Sequence, residues 1–292
     1  MKIRGSNRAD VLDGTSESDV IYGLAGDDRI LANSGDFIFS KTAEKILAGA
    51  GDDTILDFAI HLKDPKQSFS TGSVIDGGTG FDTVVVDIQE SGDAKVVFNA
   101  AVLAKNITLK HVEQVYYTYK SALQMESHVK GTKANEVFDF TAGINNHIDG
   151  GAGNDLILAG GSHNELKGGA GSDILVGRGE LTGGLGKDYF VFTASPFKSK
   201  DIVVTDFRRG ADKILIDQSI WEGSISLYSW THEGRGEDGR GETGSVSDFH
   251  KDKEAFAQIK LEKATGALLF HGVEIAILDG VKSLGINDVL FY

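Results

Sequence analysis

Short acidic side chains recur at a fixed place in glycine-rich nonapeptides, as in GGAGNDLIL from Gly150 and GGAGSDILV from Gly168. In both copies, glycine holds positions one, two and four, and aspartate holds position six. Glycine permits tight left-handed turns that point backbone carbonyls inward, and the aspartate adds a charged oxygen. Carbonyl and carboxylate oxygens are the ligands that calcium prefers, at about six to eight per ion. The pattern therefore predicts calcium-binding loops.

Four full copies of this pattern occur, from Gly77, Gly150, Gly168 and Gly183, and weaker ones start at Gly23 and Ala48. The repeat is the nonapeptide G-G-x-G-x-D-x-U-x, in which U is apolar. The predicted metal ligands are Asp28, Asp53, Asp82, Glu136, Gly150, Ala152, Gly153, Asn154, Asp155, Gly168, Gly169, Ala170, Gly171, Asp173, Gly183, Gly184, Gly186 and Asp188.

Strands must hold these loops in register. Positions seven to nine are predicted to form a short strand whose apolar eighth residue enters a thin core, so two nonapeptides make one coil of about 18 residues. In the best block the core residues are Ile157, Leu166, Leu175 and Phe190. Loops on one flank then recur every second repeat. The alternative, a glycine-rich disordered linker, does not account for the regular apolar positions.

The alternation makes the two flanks chemically different. One flank carries Glu136, Asp155, Asp173 and Asp188 at position six, whereas the other carries Asn146 and Asn164. We therefore expect calcium chiefly on the aspartate flank, between the loops from 150, 168 and 183.

An N-terminal block keeps a nine-residue step, with copies from Gly5, Gly14 and Gly23 that place Asp10 and Asp19 at position six before Asp28. The first two copies lack the inner glycines. They are interpreted as capping turns in preference to strong metal sites, because terminal repeats are usually atypical.

Composition excludes several classes of protein. The chain of 292 residues has 38 glycines, no cysteine and a net charge of −14. Disulfide frameworks and thiolate metal sites are excluded, and the acidic surplus argues against nucleic acid as a partner. No apolar run approaches the ~18 residues of a membrane-spanning helix, and no secretory h-region follows Ile3.

On these repeats the chain resembles the secreted RTX, or haemolysin-type, calcium-binding proteins. A second resemblance follows, because DIVVTDFRRGADKILID (201 to 217) looks like the segment that closes the roll in serralysin-type RTX proteins, and 261 to 280 is similar to their final hairpins. The ending from Asp288 to Tyr292 resembles the uncleaved signal read by type I secretion systems. The resemblance implies an all-β, parallel β-roll or β-solenoid with a β-rich C-terminal cap.

The predicted organisation has five parts. They are an N-terminal repeat block (1–56), a polar insertion (57–76), a repeat with wider solenoid coils (77–130), a second β-roll (131–192), and a C-terminal cap with the secretion signal (193–292), whose residues 232–244 are expected to form a mobile loop.

The expected function is that of a secreted protein that folds on meeting extracellular calcium and acts without catalysis in adhesion or polysaccharide binding. Its implied partners are calcium, the type I secretion apparatus, and a polysaccharide or cell surface. Alternatives are a membrane-active protein like the small rhizobial RTX proteins, and a polysaccharide-modifying enzyme. No H-E-x-x-H or G-x-S-x-G motif indicates an enzyme.

Three further features are weaker. Tyr116, Tyr117 and Tyr119 suit stacking on sugar rings, but a strand with alternating buried and exposed tyrosines is the favoured interpretation. Asp64-Pro65 matches the bond cut by some self-processing RTX modules, and a loop turn is favoured. The eight scattered histidines are expected to be surface or packing residues rather than metal ligands.

Overall fold

The computed structural model describes residues 1–15, 19–31, 45–62, 73–90, 96–100, 107–119, 126–192, 201–216 and 251–291. The predicted mobile loop at 232–244 and Asp64-Pro65 lie outside these ranges.

Short strands dominate the described chain. The first twelve are β1 (Lys2–Arg4), β2 (Val11–Asp13), β3 (Val20–Ala25), β4 (Arg29–Leu31), β5 (Lys45–Ala50), β6 (Thr54–Leu62), β7 (Ser73–Thr79), β8 (Thr83–Glu90), β9 (Val96–Asn99), β10 (Ile107–Lys110), β11 (Gln114–Tyr119) and β12 (Glu126–Lys130). The others are β13 (Glu136–Phe140), β14 (Ile144–Ala152), β15 (Leu156–Ala159), β16 (Asn164–Ala170), β17 (Ile174–Val176), β18 (Gly179–Leu185), β19 (Tyr189–Phe192), β20 (Ile202–Val204), β21 (Lys213–Ile216), β22 (Ile259–Leu261), β23 (Ala267–Phe270), β24 (Val273–Leu278) and β25 (Val289–Phe291), with one short helix, α1 (Lys253–Phe256).

These strands form parallel sheets on the two sides of a solenoid. An 11-stranded sheet runs β2-β4-β6-β8-β11-β13-β15-β17-β19-β21-β25, and it faces a 5-stranded sheet, β1-β3-β5-β7-β10, and a 9-stranded sheet, β22-β23-β24-β20-β18-β16-β14-β12-β9. Within the described strands only β22, β23 and β24 pair antiparallel, as two hairpins at 259–278. The predicted all-β parallel β-roll is confirmed.

The thin core follows the predicted positions. Ile157, Leu166, Leu175 and Phe190 are all fully buried. Successive coils stack these side chains directly, since Leu166 lies opposite Ile148 on the neighbouring strand, 18 residues earlier. Parallel strands buried on one face in this way align identical repeat positions, which is why a loop repeats its geometry from coil to coil.

The stretch from 83 to 119 continues the same stack without aspartate loops of its own. Val84, Val86 and Val115 are buried, and β11 pairs in parallel with both β8 and β13. The predicted polar insertion at 57–76 contains strand at both ends, because β6 extends to Leu62 and β7 begins at Ser73.

The tyrosines of β11 correct both interpretations made from the sequence. Tyr116, Tyr117 and Tyr119 are all buried, so they form neither an exposed strip nor an alternating pattern. Tyr117 and Tyr119 stack on Phe138 and Phe140 of the next coil, at 5.4 and 5.7 Å between ring centroids. The parallel register aligns each tyrosine ring with a phenylalanine ring of the next coil, so these two tyrosine faces pack inside the protein and do not face a ligand.

The C-terminal residues close the 11-stranded sheet. β25 pairs in parallel with β21, and Val289 and Phe291 are fully buried. No helix among the described residues is long and apolar enough to cross a membrane.

Candidate metal centre

A ladder of carboxylates runs along one flank of the second roll. The backbone N–H of Asp155 donates to Oδ1 of Asp173 (2.9 Å), and the N–H of Asp173 donates to Oδ1 of Asp188 (3.1 Å). The N–H of Glu136 donates in the same way to Oδ1 of Asp155 (2.8 Å). These bonds place the four predicted acidic residues on a single flank, in the predicted order.

The N-terminal block builds a second ladder by the same rule. Asp28 donates its N–H to Oδ1 of Asp53 (2.7 Å), and Asp53 donates to Oδ1 of Asp82 (2.9 Å). Asp10 precedes them and donates to Oδ1 of Asp28 (2.9 Å). Apart from Asp10 and Glu136, which head the two ladders, each of these carboxylates therefore uses one oxygen to hold adjacent coils together.

In five of these aspartates, the second carboxylate oxygen is buried and unsatisfied. Within the described part of the chain, Oδ2 has no hydrogen-bond partner in Asp28, Asp53, Asp82, Asp155 and Asp173. A buried carboxylate oxygen without a donor or a cation costs several kcal/mol, so such atoms are rare in folded proteins. Five in equivalent places mark these loops as candidate cation sites.

In four of these five loops, the space beside the unsatisfied oxygen is kept open by a glycine at position one, whereas the loop of Asp53 has Ala48 there. A Cβ on Gly150 would lie 2.5 Å from Oδ2 of Asp155 and 2.7 Å from the carbonyl oxygen of Gly168 in the next coil. A Cβ on Gly168 would meet Oδ2 of Asp173 and lie 2.7 Å from the carbonyl oxygen of Gly183. An oxygen-lined space between stacked loops fits calcium, which takes carbonyl and carboxylate ligands together.

The second residue of each loop decides whether one carboxylate oxygen receives an N–H from within its own loop, although Oε1 of Glu136 is itself buried without a hydrogen-bond partner. In the loop 131–136, Thr132 donates its N–H to Oε2 of Glu136 (2.6 Å), and in the loop 5–10, Ser6 donates to Oδ2 of Asp10 (2.6 Å). We call open loops the six in which the second residue instead has a positive φ and the carboxylate accepts no hydrogen bond from that residue's N–H. These residues are Leu24 (94°), Gly49 (125°), Gly78 (111°), Gly151 (99°), Gly169 (112°) and Gly184 (97°).

Leu24 adopts this positive φ although it is not a glycine, so the stacking of the coils imposes the conformation. A non-glycine residue with this φ stores strain on the order of 1–3 kcal/mol. The register explains why it persists, since Leu24 pairs directly with Gly49 of the next coil.

Burial raises the pKa of the ladder aspartates. The pKa of Asp155 rises to about 8, chiefly because burial disfavours its charged form. The hydrogen bond from the Glu136 N–H lowers this pKa, whereas repulsion from the charges of Asp173 and Glu136 raises it further. Burial likewise raises the pKa of Asp53 to about 7 and that of Asp173 to about 6. Without a cation, these carboxylates destabilise the folded chain at neutral pH.

The asparagine flank is satisfied by the protein alone. The side chain of Asn164 donates to the carbonyl oxygens of Gly160 (3.1 Å) and Arg178 (2.7 Å), and its Oδ1 accepts from Asn146 (2.9 Å). An amide carries its own donors, so this flank needs no cation.

Two other predicted ligands, Asn154 and Ala152, make contacts between neighbouring coils. The side chain of Asn154 is exposed, and its Oδ1 accepts the N–H of Ser172 (2.7 Å). Ala152 pairs with Ala170 in the sheet, and the carbonyl oxygen of Ala170 accepts the N–H of Gly153 (2.8 Å).

Arg208 closes the last loop and was not singled out from the sequence. Its Nη2 donates to the carbonyl oxygen of Gly186 (2.7 Å), to Oδ2 of Asp188 (3.1 Å) and to Oδ1 of Asp212 (3.0 Å). The guanidinium thus provides positive charge where the other loops of this ladder have an open Oδ2.

Comparison with protein families agrees with this chemistry. Residues 4–36 match the RTX calcium-binding nonapeptide repeat (4 copies), and residues 111–238 match Peptidase M10 serralysin C terminal. A search of curated protein sequences gives no match.

The fold and the loops define a parallel β-roll that presents stacked carboxylates to cations. The chain carries RTX calcium-binding nonapeptide repeats together with a serralysin-type C-terminal domain, and calcium is the ion that such repeats bind. These two modules are typical of extracellular proteins exported by type I secretion systems.

Proposed function

We propose that calcium binds in the four gaps between successive open loops and that this binding completes the fold. Two gaps lie in the N-terminal ladder, between the loops ending at Asp28, Asp53 and Asp82. Two lie in the second roll, between the loops ending at Asp155, Asp173 and Asp188. The observation that supports this most directly is the buried, unpartnered Oδ2 of five of these six aspartates, all except Asp188.

The energetics suit a switch set by the surrounding calcium. A site with a dissociation constant of ~0.1 mM contributes about 1.4 kcal/mol at ~1 mM calcium. Four such sites contribute roughly 6 kcal/mol, comparable with the whole stability of an ordinary domain. In a calcium-poor cytosol that contribution vanishes and the ladder carboxylates repel each other, which favours a loose chain that can pass through a secretion channel.

Calorimetric titration with calcium tests the assignment. Asp173→Asn keeps the oxygen that accepts the Asp155 N–H but removes the charge, and we expect it to lower the number of bound ions. Asn164→Ala, on the opposite flank, is the matched control and should keep the wild-type number. Equal losses in the two variants would refute the assignment.

Circular dichroism tests the coupling to folding. We expect weak β signal in excess chelator and a gain of β structure on adding calcium. A full native β signal in chelator would show that folding does not depend on the ion.

We further propose that the calcium-loaded protein acts without catalysis, as an adhesion or polysaccharide-binding protein that can associate with the cell surface. A stacked solenoid supports this role because it presents long, regular side-chain rows to an extended partner. Burial of the three β11 tyrosines removes them from such a surface.

A glycan array probed with and without calcium tests the role. Calcium-dependent binding is expected. Absence of glycan binding by protein that is folded by circular dichroism would reject the polysaccharide role while leaving calcium-dependent folding intact.

A further inference from the structure

Two histidines meet on the outer face of the second roll, away from the carboxylate ladder. His128 of β12 and His147 of β14 are direct partners in the parallel register, and their rings stack at 4.4 Å between centroids. Their neighbours Val129 and Ile148 are buried, so the alternation of the strands directs the imidazoles outward.

Both imidazole rings direct their Nε2 atom at the carboxylate of Glu126. Nε2 of His128 lies 2.8 Å from Oε1 of Glu126, and Nε2 of His147 lies 3.7 Å from that oxygen. One ligand atom from each of the three residues lies within 4.8 Å of the others. Ligands of a tetrahedral zinc ion are about 3.3 Å apart when each bond is about 2.0–2.1 Å, so the two distances bracket the spacing that zinc needs.

A second carboxylate fixes the orientation of His147. Nδ1 of His147 lies 3.0 Å from Oε2 of Glu165, its pairing partner on β16. Glu165 is held in turn by an ion pair with Lys167. A carboxylate on the far nitrogen of a ligating histidine sets its tautomer and strengthens it as a ligand.

We propose that Glu126, His128 and His147 bind one divalent transition-metal ion of the zinc class, with Glu165 as a positioning residue and water completing the coordination. The ligand chemistry separates this site from the calcium loops, because imidazole nitrogen suits zinc and calcium requires oxygen. The proposal does not rest on the proposed function.

Zinc titration of the full chain in saturating calcium tests the proposal. We expect one zinc ion per chain with micromolar affinity. His128→Gln and His147→Gln should each weaken it by about 100-fold, and Glu165→Gln by about 10-fold. His163→Asn is the matched control, because it removes an exposed histidine of the same roll and its φ of 58° is one that asparagine tolerates.

Cobalt(II) provides a second readout, since four-coordinate cobalt absorbs strongly in the visible range. The absorption should appear in the wild-type and His163→Asn proteins and be lost in His147→Gln. Zinc binding that is equal in all variants, or that disappears as calcium is raised, would overturn the proposal. Circular dichroism in calcium confirms that each variant is folded.

Discussion

Arg208 provides the sharpest test of how the carboxylate ladder is stabilised. Its guanidinium contacts Asp188 and Asp212, whose side chains are 0% and 1% exposed, whereas its own side chain is 39% exposed. The substitution Arg208→Gln shortens the side chain and removes the charge. Asp212 keeps two backbone donors, the N–H groups of residue 208 (2.6 Å) and Asp188 (3.2 Å), whereas Oδ2 of Asp188 loses its guanidinium donor.

The expected cost follows from that burial. Removing one partner of a buried ion pair costs about 3–5 kcal/mol, and partial access of water to Arg208 places this case at the lower end, about 3 kcal/mol. For a chain of this size that lowers the melting temperature by roughly 5–10 °C.

Arg209→Gln is the matched control. Arg209 is the next residue, and its Nε lies 3.3 Å from Oδ2 of Asp288. Asp288 also accepts the N–H groups of Gly210 (3.0 Å) and Gly285 (2.7 Å), so it keeps two donors when the arginine is removed. We expect a loss of about 1 kcal/mol or less.

Calcium should rescue only the first variant. The vacated place is bordered by carboxylate and carbonyl oxygens, so Arg208→Gln is expected to bind one more calcium ion than wild type. For a dissociation constant of ~0.1 mM, raising calcium from ~1 to ~10 mM returns about 1.3 kcal/mol to that variant beyond the gain of wild type.

Urea denaturation at the two calcium concentrations, with ion counting by calorimetry, measures both effects. Equal stability losses in Arg208→Gln and Arg209→Gln would refute the argument that Arg208 neutralises the ladder. An unchanged ion count in Arg208→Gln would refute the rescue.

Two further predictions concern the ladders themselves. The pKa of Asp155 is raised to about 8 in the calcium-free fold, above its unfolded value of 3.8, so the penalty for folding grows as pH rises between these values. Calcium-free protein should therefore gain β signal on acidification from about pH 8 to about pH 5, and a flat or falling signal by circular dichroism would contradict this. The triple variant Thr132→Gly, Ala134→Gly and Glu136→Asp should convert the loop 131–136 to the open type and add one calcium ion by calorimetry, whereas Glu136→Asp alone should add none.

The sequence was sufficient to predict the fold and the flank on which the aspartates lie, because both depend on periodicity. Apolar residues at position eight fixed the core, and the alternation of aspartate with asparagine placed Asp155 and Asp173 on one side. The sequence also placed Glu136 at position six, like these aspartates. It did not show that the N–H of Thr132 donates to the Glu136 carboxylate. That distinction depends on the φ of the second loop residue.

Contacts between coils were harder to predict, since they depend on the number of residues in each turn. His128 and His147 are 19 residues apart, and the register is irregular between Glu126 and His128. The prediction of alternating exposure for the tyrosines of β11 was wrong for a similar reason. Alternation predicts burial on one face of a strand, whereas a second buried cluster on the opposite face covers Tyr116 together with Val137.

The ends of the ladders explain why these departures from the repeat occur where they do. A loop inside a ladder has a neighbour on both sides, so an ion beside it receives oxygens from two coils. A terminal loop has one such neighbour, and an ion there would lack half of its ligands. At the N-terminal end the chain meets this shortage with its own groups, because Ser6 donates its N–H to Asp10. Beyond the last open loop of the second roll, Arg208 fills the gap between Asp188 and Asp212, so that gap already holds a positive charge although oxygens lie on both sides of it. We therefore expect calcium dependence to lie in the interior of each ladder, and residues that break the glycine pattern to mark where it stops.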